Sequence, residues 1–237
     1  MMVDNKKSTA VVLSAGKGKR MNTDIAKQYL LIKDRPVLYY SLKAFEDSFV
    51  DEIIVVSGRD DVEFVKREIV EKYNFSKATK IVAGGAERYH SVLNGLRAIS
   101  NSDYVFIHDG ARPFINKEIL DRAYEAVNEF KAAVVAMPVK DTIKIIDDNN
   151  VTVSTPDRNH VWMMQTPQVF SFPLIKEAYE KMIAAENNLM AEGVKITDDA
   201  MVMEQFGDVP VHVVEGSYRN IKITTPEDII IANSYIE

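Results

Sequence analysis

Residues 9–21 read TAVVLSAGKGKRM, and this stretch decides how the chain is expected to fold. The short run Thr9–Ser14 is apolar almost throughout, as strands buried on both faces of a parallel sheet are. Two glycines, Gly16 and Gly18, follow it directly, with cations around them. The stretch therefore predicts a first strand that delivers a cationic glycine loop to the carboxyl end of a sheet.

Short apolar runs and longer amphipathic runs alternate beyond this strand. Further strands are predicted at Glu52–Ser57, Lys80–Ala83, Tyr104–His108 and Ala132–Pro138. Helices are predicted between them at Pro36–Asp47, Asp61–Tyr73, Glu87–Ile99 and Lys117–Phe130. Such alternation implies right-handed crossovers and an α/β fold with a doubly wound, mostly parallel sheet. Ligands of such sheets bind beyond the carboxyl ends of the strands.

The alternation stops near residue 139. Extended runs at 142–146 and 151–154 flank the turn-forming cluster 147–150, which predicts a β-hairpin arm over about residues 139–156. An isolated hairpin is marginal in water, which favours a second subunit as the packing partner of the arm. Helices near 173–186 and 198–206, strands at 211–214 and 221–224, and a last helix capped by Thr225 complete the prediction. Without a linker or repeat, residues 1–237 are expected to form a single domain.

The overall composition limits the possible functions. Hydrophobic residues make up 46% and charged residues 27%, which is typical of a globular protein with a core. The net charge of −6 gives no general footprint for nucleic acid. The chain has no cysteine, which excludes disulfides and thiolate metal sites and fits a reducing compartment. No segment has the apolar length of a signal peptide or a membrane span, so we expect a cytoplasmic protein.

The glycine loop matches neither of two common nucleotide motifs. The third glycine of the dinucleotide fingerprint would fall on Met21, and the Ser or Thr of a P-loop is missing after Gly18-Lys19. Its glycines would let backbone N–H groups approach a bound anion, to which the lysines and Arg20 add charge. The loop alone is either a phosphate site or a glycine turn with solvated lysines. Its place after the first strand favours the phosphate site.

A longer pattern carries a resemblance to a known family. Ala15-Gly16-x-Gly18-x-Arg20-Met21, followed by Lys27-Gln28, resembles the signature of the sugar-phosphate cytidylyltransferases. It is most similar to the 2-C-methyl-D-erythritol 4-phosphate cytidylyltransferases of the non-mevalonate isoprenoid pathway. The match runs from about residue 10 to 236 and includes His108-Asp109-x-x-Arg112-Pro113.

The resemblance implies an activity and a fold. The fold would be a Rossmann-like nucleotidyltransferase fold. The reaction would transfer a cytidylyl group from CTP to 2-C-methyl-D-erythritol 4-phosphate, which gives 4-diphosphocytidyl-2-C-methyl-D-erythritol and pyrophosphate. Mg²⁺ would be the cofactor, carried mainly by the nucleotide phosphates with Asp109 nearby. A homodimer formed through the arm is implied as well, with Arg158 donated across the interface.

The same resemblance implies roles for individual residues. Arg20 and Lys27 would be catalytic, because they would stabilise charge on the α-phosphate in the transition state. The implied CTP-binding residues are Ser14, Ala15, Gly16, Gly18, Lys19, Gly84, Ala86, Arg88, Ser91, Asp109 and Gly110. The implied ligands of the acceptor phosphate are Thr142, Arg158, Thr166, Thr197 and Lys222. Many relatives carry an acidic residue where this chain has Ala86, so only a backbone contact is expected there.

Several alternatives remain open at this point. The nearest is ribitol 5-phosphate cytidylyltransferase of teichoic acid synthesis, which shares the fold and chemistry. A pyrophosphorylase for another nucleotide sugar and an inactive CTP-binding relative are more distant. Arg112 either faces the nucleotide or braces its own loop. No histidine is assigned a catalytic role, since the acceptor phosphate is already ionised near neutral pH.

Overall fold

The computed structural model describes residues 6–16 and 25–236. The strands in these ranges are β1 (Ser8–Ser14), β2 (Leu31–Ile32), β3 (Arg35–Pro36), β4 (Glu52–Ser57), β5 (Ala78–Ala83), β6 (Tyr104–Asp109), β7 (Ala132–Pro138), β8 (Ile145–Ile146), β9 (Thr152–Ser154), β10 (Trp162–Ser171) and β11 (His212–Glu215). The helices are α1 (Val37–Glu46), α2 (Val62–Phe64), α3 (Arg88–Ala98), α4 (Lys117–Phe130), α5 (Phe172–Ala184), α6 (Glu186–Ala191), α7 (Asp199–Phe206) and α8 (Pro226–Tyr235). None of these helices is long and apolar enough to cross a membrane.

A seven-stranded sheet forms the centre of the described chain, in the order β11-β7-β10-β6-β1-β4-β5. Strand β1 pairs in parallel with β4 on one side and with β6 on the other, where Val11 lies opposite Ile54 and Ile107. The chain winds outward from β1 in both directions, so the strand order reverses between β1 and β6. The predicted α/β, doubly wound, mostly parallel sheet is confirmed. Its switch point lies where the glycine loop leaves β1.

Strand β10 was not predicted. It runs antiparallel between β6 and β7, and its register shifts between Met164 and Gln168. The sequence hides this strand because Pro167 lies within it, and proline cannot donate to a ladder. The shift leaves room for Pro167, whose peptide bond with Thr166 is cis.

Other elements differ from their predictions in smaller ways. The predicted strand at 221–224 is wrong, since this segment joins none of the sheets of the described chain and is held instead by a bond from the Ile223 N–H to the distant Ala111 carbonyl at 2.8 Å. The helix predicted over 61–73 starts as α2 and continues as a π-helical segment, Val65–Glu71. Helix α6 follows α5 as a separate, unpredicted element. The capping of α8 is confirmed, because the Thr225 N–H donates to the Asp228 carboxylate at 2.8 Å.

The hairpin arm is confirmed as β8 and β9, joined by the turn at 147–150. The Asp147 N–H donates to the Val151 carbonyl at 2.9 Å and closes the turn. Its apolar side chains are exposed, with Ile146 at 52% and Val153 at 66%. The arm therefore buries little of its own surface against the described chain.

Helix α3 packs unusually close to the sheet through Gly95. A Cβ at this position would lie 2.5 Å from Val11 Cγ1 and 3.0 Å from Val56 Cγ2. We expect Gly95→Val to lower the free energy of unfolding by about 1–3 kcal/mol, because overpacking forces the helix away from the sheet. Denaturant titration measures this, with the exposed Arg97→Ala on the same helix as the control. Equal stability of both variants would contradict the tight packing.

Candidate active site

A cleft of about 570 Å³ opens at the carboxyl ends of β1 and β6. It lies at the switch point of the sheet, where ligands of this fold class bind. The predicted site residues that line it are Ser14, Ala15, Gly16, Lys27, Ala86, Arg88, Ser91, Asp109 and Lys222. The structure thus brings together most of the predicted nucleotide site with one predicted ligand of the acceptor. Arg20, Gly18 and Lys19 lie outside the described residues.

Gln28 ties the segment that carries Lys27 to the end of β1. Its side chain is buried, and Nε2 donates to the Ser14 carbonyl at 2.5 Å. The Ser14 hydroxyl in turn donates to the Val56 carbonyl at 3.2 Å. These bonds hold Lys27 at the mouth of the cleft. The sequence paired Lys27 with Gln28, but it gave no sign that Gln28 would anchor the pair.

The Gly84-Gly85 turn forms the opposite wall. The Gly84 N–H donates to the Ser57 carbonyl at 2.7 Å, and a Cβ at Gly84 would lie 2.5 Å from Ala15 Cβ. The Gly85 N–H donates to the Ser91 hydroxyl at 3.0 Å. Gly85 lines the cleft, whereas Gly84 lines an adjoining crevice. Reasoning from the sequence chose Gly84 and missed Gly85, because both glycines fit the same turn.

Asp109 is the centre of a charge cluster in the cleft. Lys222 Nζ lies 2.6 Å from its Oδ2, and Arg88 Nε lies 3.5 Å from its Oδ1. Burial opposes ionisation, but the charges of Arg88, Lys222 and Arg112 outweigh it and hold the pKa of Asp109 well below its usual range. Asp109 is therefore an anion that aligns two cations toward the same space.

His108 is fully buried beside this cluster. Its Nε2 lies 3.1 Å from the Arg112 carbonyl, which can only accept, so Nε2 carries the proton. Its Nδ1 then accepts from the Thr166 hydroxyl at 3.0 Å, and the Asp109 N–H donates to that hydroxyl at 3.0 Å. Both ring nitrogens are occupied, and burial lowers the pKa of His108 to about 4. A catalytic base is thus absent at this position.

The buried His108 predicts a pH dependence of stability. Its folded pKa of about 4 lies below its ordinary value of 6.5, so the unfolded chain binds the proton first as the pH falls. The contribution of His108 to the free energy of unfolding is therefore fully present above pH 6.5. We expect the free energy of unfolding to fall by about 3 kcal/mol as the pH is lowered from 6.5 to about 4. Denaturant titrations of His108→Asn against pH should lack this loss. The exposed His160→Asn is the control, and an unchanged pH slope in His108→Asn would contradict the assignment.

Three further predicted residues have structural partners. Arg112 braces its own loop, since Nη1 donates to the Asn220 carbonyl at 2.7 Å and Nη2 to the Met164 carbonyl at 3.4 Å. Gly110 lies behind the cleft, where its N–H donates to the Leu13 carbonyl and a Cβ would lie 2.8 Å from Leu38 Cδ1. Its neighbour Ala111 lines the cleft whereas Gly110 does not, and the CTP contact of Gly110 stays a prediction. Thr166 remains a predicted acceptor ligand, with its hydroxyl bonded as described.

The other predicted acceptor ligands do not line this cleft. Thr142 and Arg158 are exposed on and beside the arm, where Arg158 Nη1 donates to the Lys140 carbonyl at 3.2 Å. Thr197 lines a second pocket of about 730 Å³ between α3 and α6. Within one chain, the structure therefore separates these three side chains from Lys222. Their role in acceptor binding stays a prediction.

The cleft also bears on metal binding. No group of three or more His, Asp or Glu suited to a metal occurs within residues 6–16 and 25–236. Among the described residues, Asp109 and Glu87 are the carboxylates that line the cleft, and Asp109 lies between Lys222 and Arg88 at the carboxyl end of β6. Mg²⁺ is commonly held by one or two carboxylates plus substrate phosphates, and this arrangement fits that pattern.

Comparison with known proteins gives the family. The family described as IspD, 2-C-methyl-D-erythritol 4-phosphate cytidylyltransferase, matches residues 8–237. The chain belongs to this family. A 2-C-methyl-D-erythritol 4-phosphate cytidylyltransferase of Lachnoclostridium phytofermentans is 50% identical over 231 residues, which cover 98% of this chain and 97% of the relative. A second, from Lachnospira eligens, is also 50% identical, over 97% of this chain and 99% of the relative.

Solved structures of the family share the fold. The 4-diphosphocytidyl-2C-methyl-D-erythritol synthase of Anaerococcus prevotii has a TM-score of 0.84 at 40% identity, covering 99% of this chain and 98% of that one. The Francisella tularensis 2-C-methyl-D-erythritol 4-phosphate cytidylyltransferase has a TM-score of 0.78 at 32% identity, covering 97% of this chain and 100% of that one. The predicted Rossmann-like nucleotidyltransferase fold and the predicted family are both confirmed.

Proposed function

We propose that the cleft binds CTP and that the chain transfers its cytidylyl group to 2-C-methyl-D-erythritol 4-phosphate in isoprenoid biosynthesis. The observation that carries the proposal is the convergence of Lys27, Arg88 and Lys222 on one cleft at the switch point of a cytidylyltransferase fold. The relatives bear names for the methylerythritol phosphate. The ribitol alternative has no comparable support.

The chemistry joins two anions. An oxygen of the acceptor phosphate forms a bond to the α-phosphorus of CTP, the bond from that phosphorus to the bridging oxygen breaks, and pyrophosphate leaves. Positioning and electrostatic stabilisation carry most of such a transfer. Lys27 and, from the sequence, Arg20 neutralise charge on the α-phosphate. Lys222 and Arg158 hold the acceptor, which needs no base because its phosphate is already ionised.

Mg²⁺ is the proposed cofactor. Asp109 would hold it together with the phosphates of CTP, and the ion would neutralise phosphate charge when bound. The anionic carboxylate oxygens of Asp109 suit a hard cation such as Mg²⁺.

The decisive assay measures pyrophosphate release from CTP and Mg²⁺ with each of two acceptors. We expect turnover with 2-C-methyl-D-erythritol 4-phosphate and little with ribitol 5-phosphate. CTP should be preferred over UTP, GTP and ATP. Equal turnover of both acceptors would remove the assigned specificity, and release of pyrophosphate with neither would refute the function.

The cysteine-free composition supports a cytoplasmic location, which fractionation of the source cells tests.

The arm is the proposed dimer contact. Ile145, Ile146, Val151 and Val153 are 49–66% exposed, and the neighbouring Met163 is 45% exposed. Contiguous exposed apolar surface of this kind marks interaction sites. A second chain packed on the arm would cover these side chains. The same contact would bring Thr142 and Arg158 of one chain to the acceptor end of the cleft of the other chain.

Charge placed on the arm should separate the subunits. We expect Ile146→Asp combined with Val153→Asp to shift the chain from dimer to monomer and to raise the KM for the acceptor, because a buried unpaired charge is costly. Light scattering measures the mass, and Ile230→Asp on the exposed surface of α8 is the control. A chain that is monomeric without any substitution would remove the proposal.

A further inference from the structure

A fully buried carboxylate lies behind the cleft, and the transfer chemistry does not use it. Asp199, the first residue of α7, has no exposed surface. Arg88 donates to it twice, from Nη1 to Oδ1 at 2.9 Å and from Nη2 to Oδ2 at 2.7 Å. Tyr179, also fully buried, donates its hydroxyl to Oδ1 at 2.5 Å.

The backbone at Asp199 is held in turn by the side chain of Gln168. Its N–H and that of Ala200 both donate to Gln168 Oε1, at 3.0 and 2.8 Å. Gln168 lies on β10 and donates from Nε2 to Asp198 at 2.9 Å. The carboxylate sits in the first turn of α7, where the helix dipole favours an anion. Strand β10, α5 and α7 together leave Asp199 little freedom to move.

Stability alone does not account for this pair. Asp199 is fully buried while 29% of the Arg88 side chain is exposed, so the carboxylate loses solvation that the attraction to Arg88 only partly returns, and apolar replacements of buried ion pairs are often as stable. The pair does have a consequence for the cleft. With both Nη atoms bound to Asp199, the Nε edge of Arg88 faces Asp109 at 3.5 Å. The guanidinium is a planar fork, so a bidentate partner sets its position as well as its orientation.

We propose that Asp199 is a positioning residue for nucleotide binding, acting through Arg88. It fixes the Arg88 guanidinium at the wall of the cleft, so that the cation is already in place when CTP arrives. Burial alone would lower the pKa of the Arg88 guanidinium, but the negative charges of Asp199 and Asp109 outweigh it and raise that pKa well above its usual range, so Arg88 stays a cation. Tyr179 keeps the carboxylate turned toward Arg88. This inference rests on the proposed binding of CTP in the cleft.

The first test is Asp199→Asn, which keeps the shape and removes the charge. We expect the dissociation constant of Mg²⁺–CTP, measured by calorimetry, to rise about tenfold, since a hydrogen bond to a charged group is worth that much. The KM for CTP should rise with it while kcat changes less. The matched control is Glu180→Gln, which removes the carboxylate that pairs with Arg97, a second arginine of α3, in an exposed ion pair with α5. Unchanged CTP binding in Asp199→Asn would overturn the proposal.

A double-mutant cycle separates positioning from a merely structural role. If Asp199 acts through Arg88, then Asp199→Asn should add little to the loss already caused by Arg88→Gln. Additive losses would overturn the proposal. Should Asp199→Asn fail to fold, Asp199→Glu keeps the charge but displaces the guanidinium by the longer side chain. We expect it to weaken Mg²⁺–CTP binding as well, and binding as tight as in the unaltered chain would count against the proposal.

The calorimetric readout keeps this inference apart from the proposed function. If the unaltered chain binds Mg²⁺–CTP but turns over neither acceptor, the assigned reaction fails while the role of Asp199 is still measured. If the unaltered chain does not bind Mg²⁺–CTP, both fail.

Discussion

Replacing Lys27 with alanine is expected to lower kcat about 10²-fold or more while the KM for CTP moves less, because a cation that meets charge growing on the α-phosphate acts mainly in the transition state. Lys27 lines the cleft together with Ser14 and Gly16. Its neighbour Gln28 is anchored to the Ser14 carbonyl. The backbone that carries the Lys27 side chain is therefore anchored to the end of β1. Steady-state kinetics with Mg²⁺, CTP and 2-C-methyl-D-erythritol 4-phosphate measures both constants.

The control for Lys27→Ala is Lys72→Ala. Lys72 is an exposed cation that pairs with Glu68 in the helical segment after β4 and does not line the cleft. The Lys72→Ala variant should leave kcat unchanged. That result would show that the loss of kcat in Lys27→Ala does not come from the change in net charge. We expect Arg20→Ala to resemble Lys27→Ala. A Lys27→Ala variant with nearly normal kcat would sink the catalytic assignment.

Replacing Lys222 with alanine should raise the KM for the acceptor by about tenfold or more, with a smaller change for CTP, because the acceptor phosphate would lose a charge-assisted hydrogen bond. Lys222 reaches into the cleft from the segment before α8 and contacts Asp109 at 2.6 Å. It is 38% exposed, so its free N–H donors can meet a second anion. Initial rates at varied acceptor and saturating CTP give the constant.

Two variants sharpen this prediction. Lys222→Arg keeps the charge and should restore part of the acceptor affinity. Lys181→Ala removes an exposed cation paired with Glu177 on α5 and should change nothing. If Lys222→Ala instead raised the KM for CTP and left that for the acceptor intact, the cation would belong to the nucleotide site.

Local patterns were enough for the parallel part of the sheet. Strands β1, β4 and β7 are confirmed at or within one residue of their predicted ends, because a strand buried on both faces needs an unbroken apolar run. The arm and the α8 cap were also readable, since turn formers and capping residues act within a few positions. Strand β10 was not, because Pro167 breaks the pattern that a ladder requires.

The sequence by itself determined the fold class and the family, and it selected candidate site residues near β1 and β6 that the structure brings to one cleft. These depend on short motifs whose spacing survives without knowledge of the rest of the chain. Only the tertiary structure decided that Arg112 braces a loop, that Gly85 rather than Gly84 lines the cleft, and that His108 is committed to two neighbours. It also placed Asp199, more than a hundred positions away in sequence, against Arg88. Contacts of that kind arise from packing between distant elements, and no local pattern carries them. The glycine loop after β1 predicted an anion site, whereas the charges that shape the site come together only through the fold.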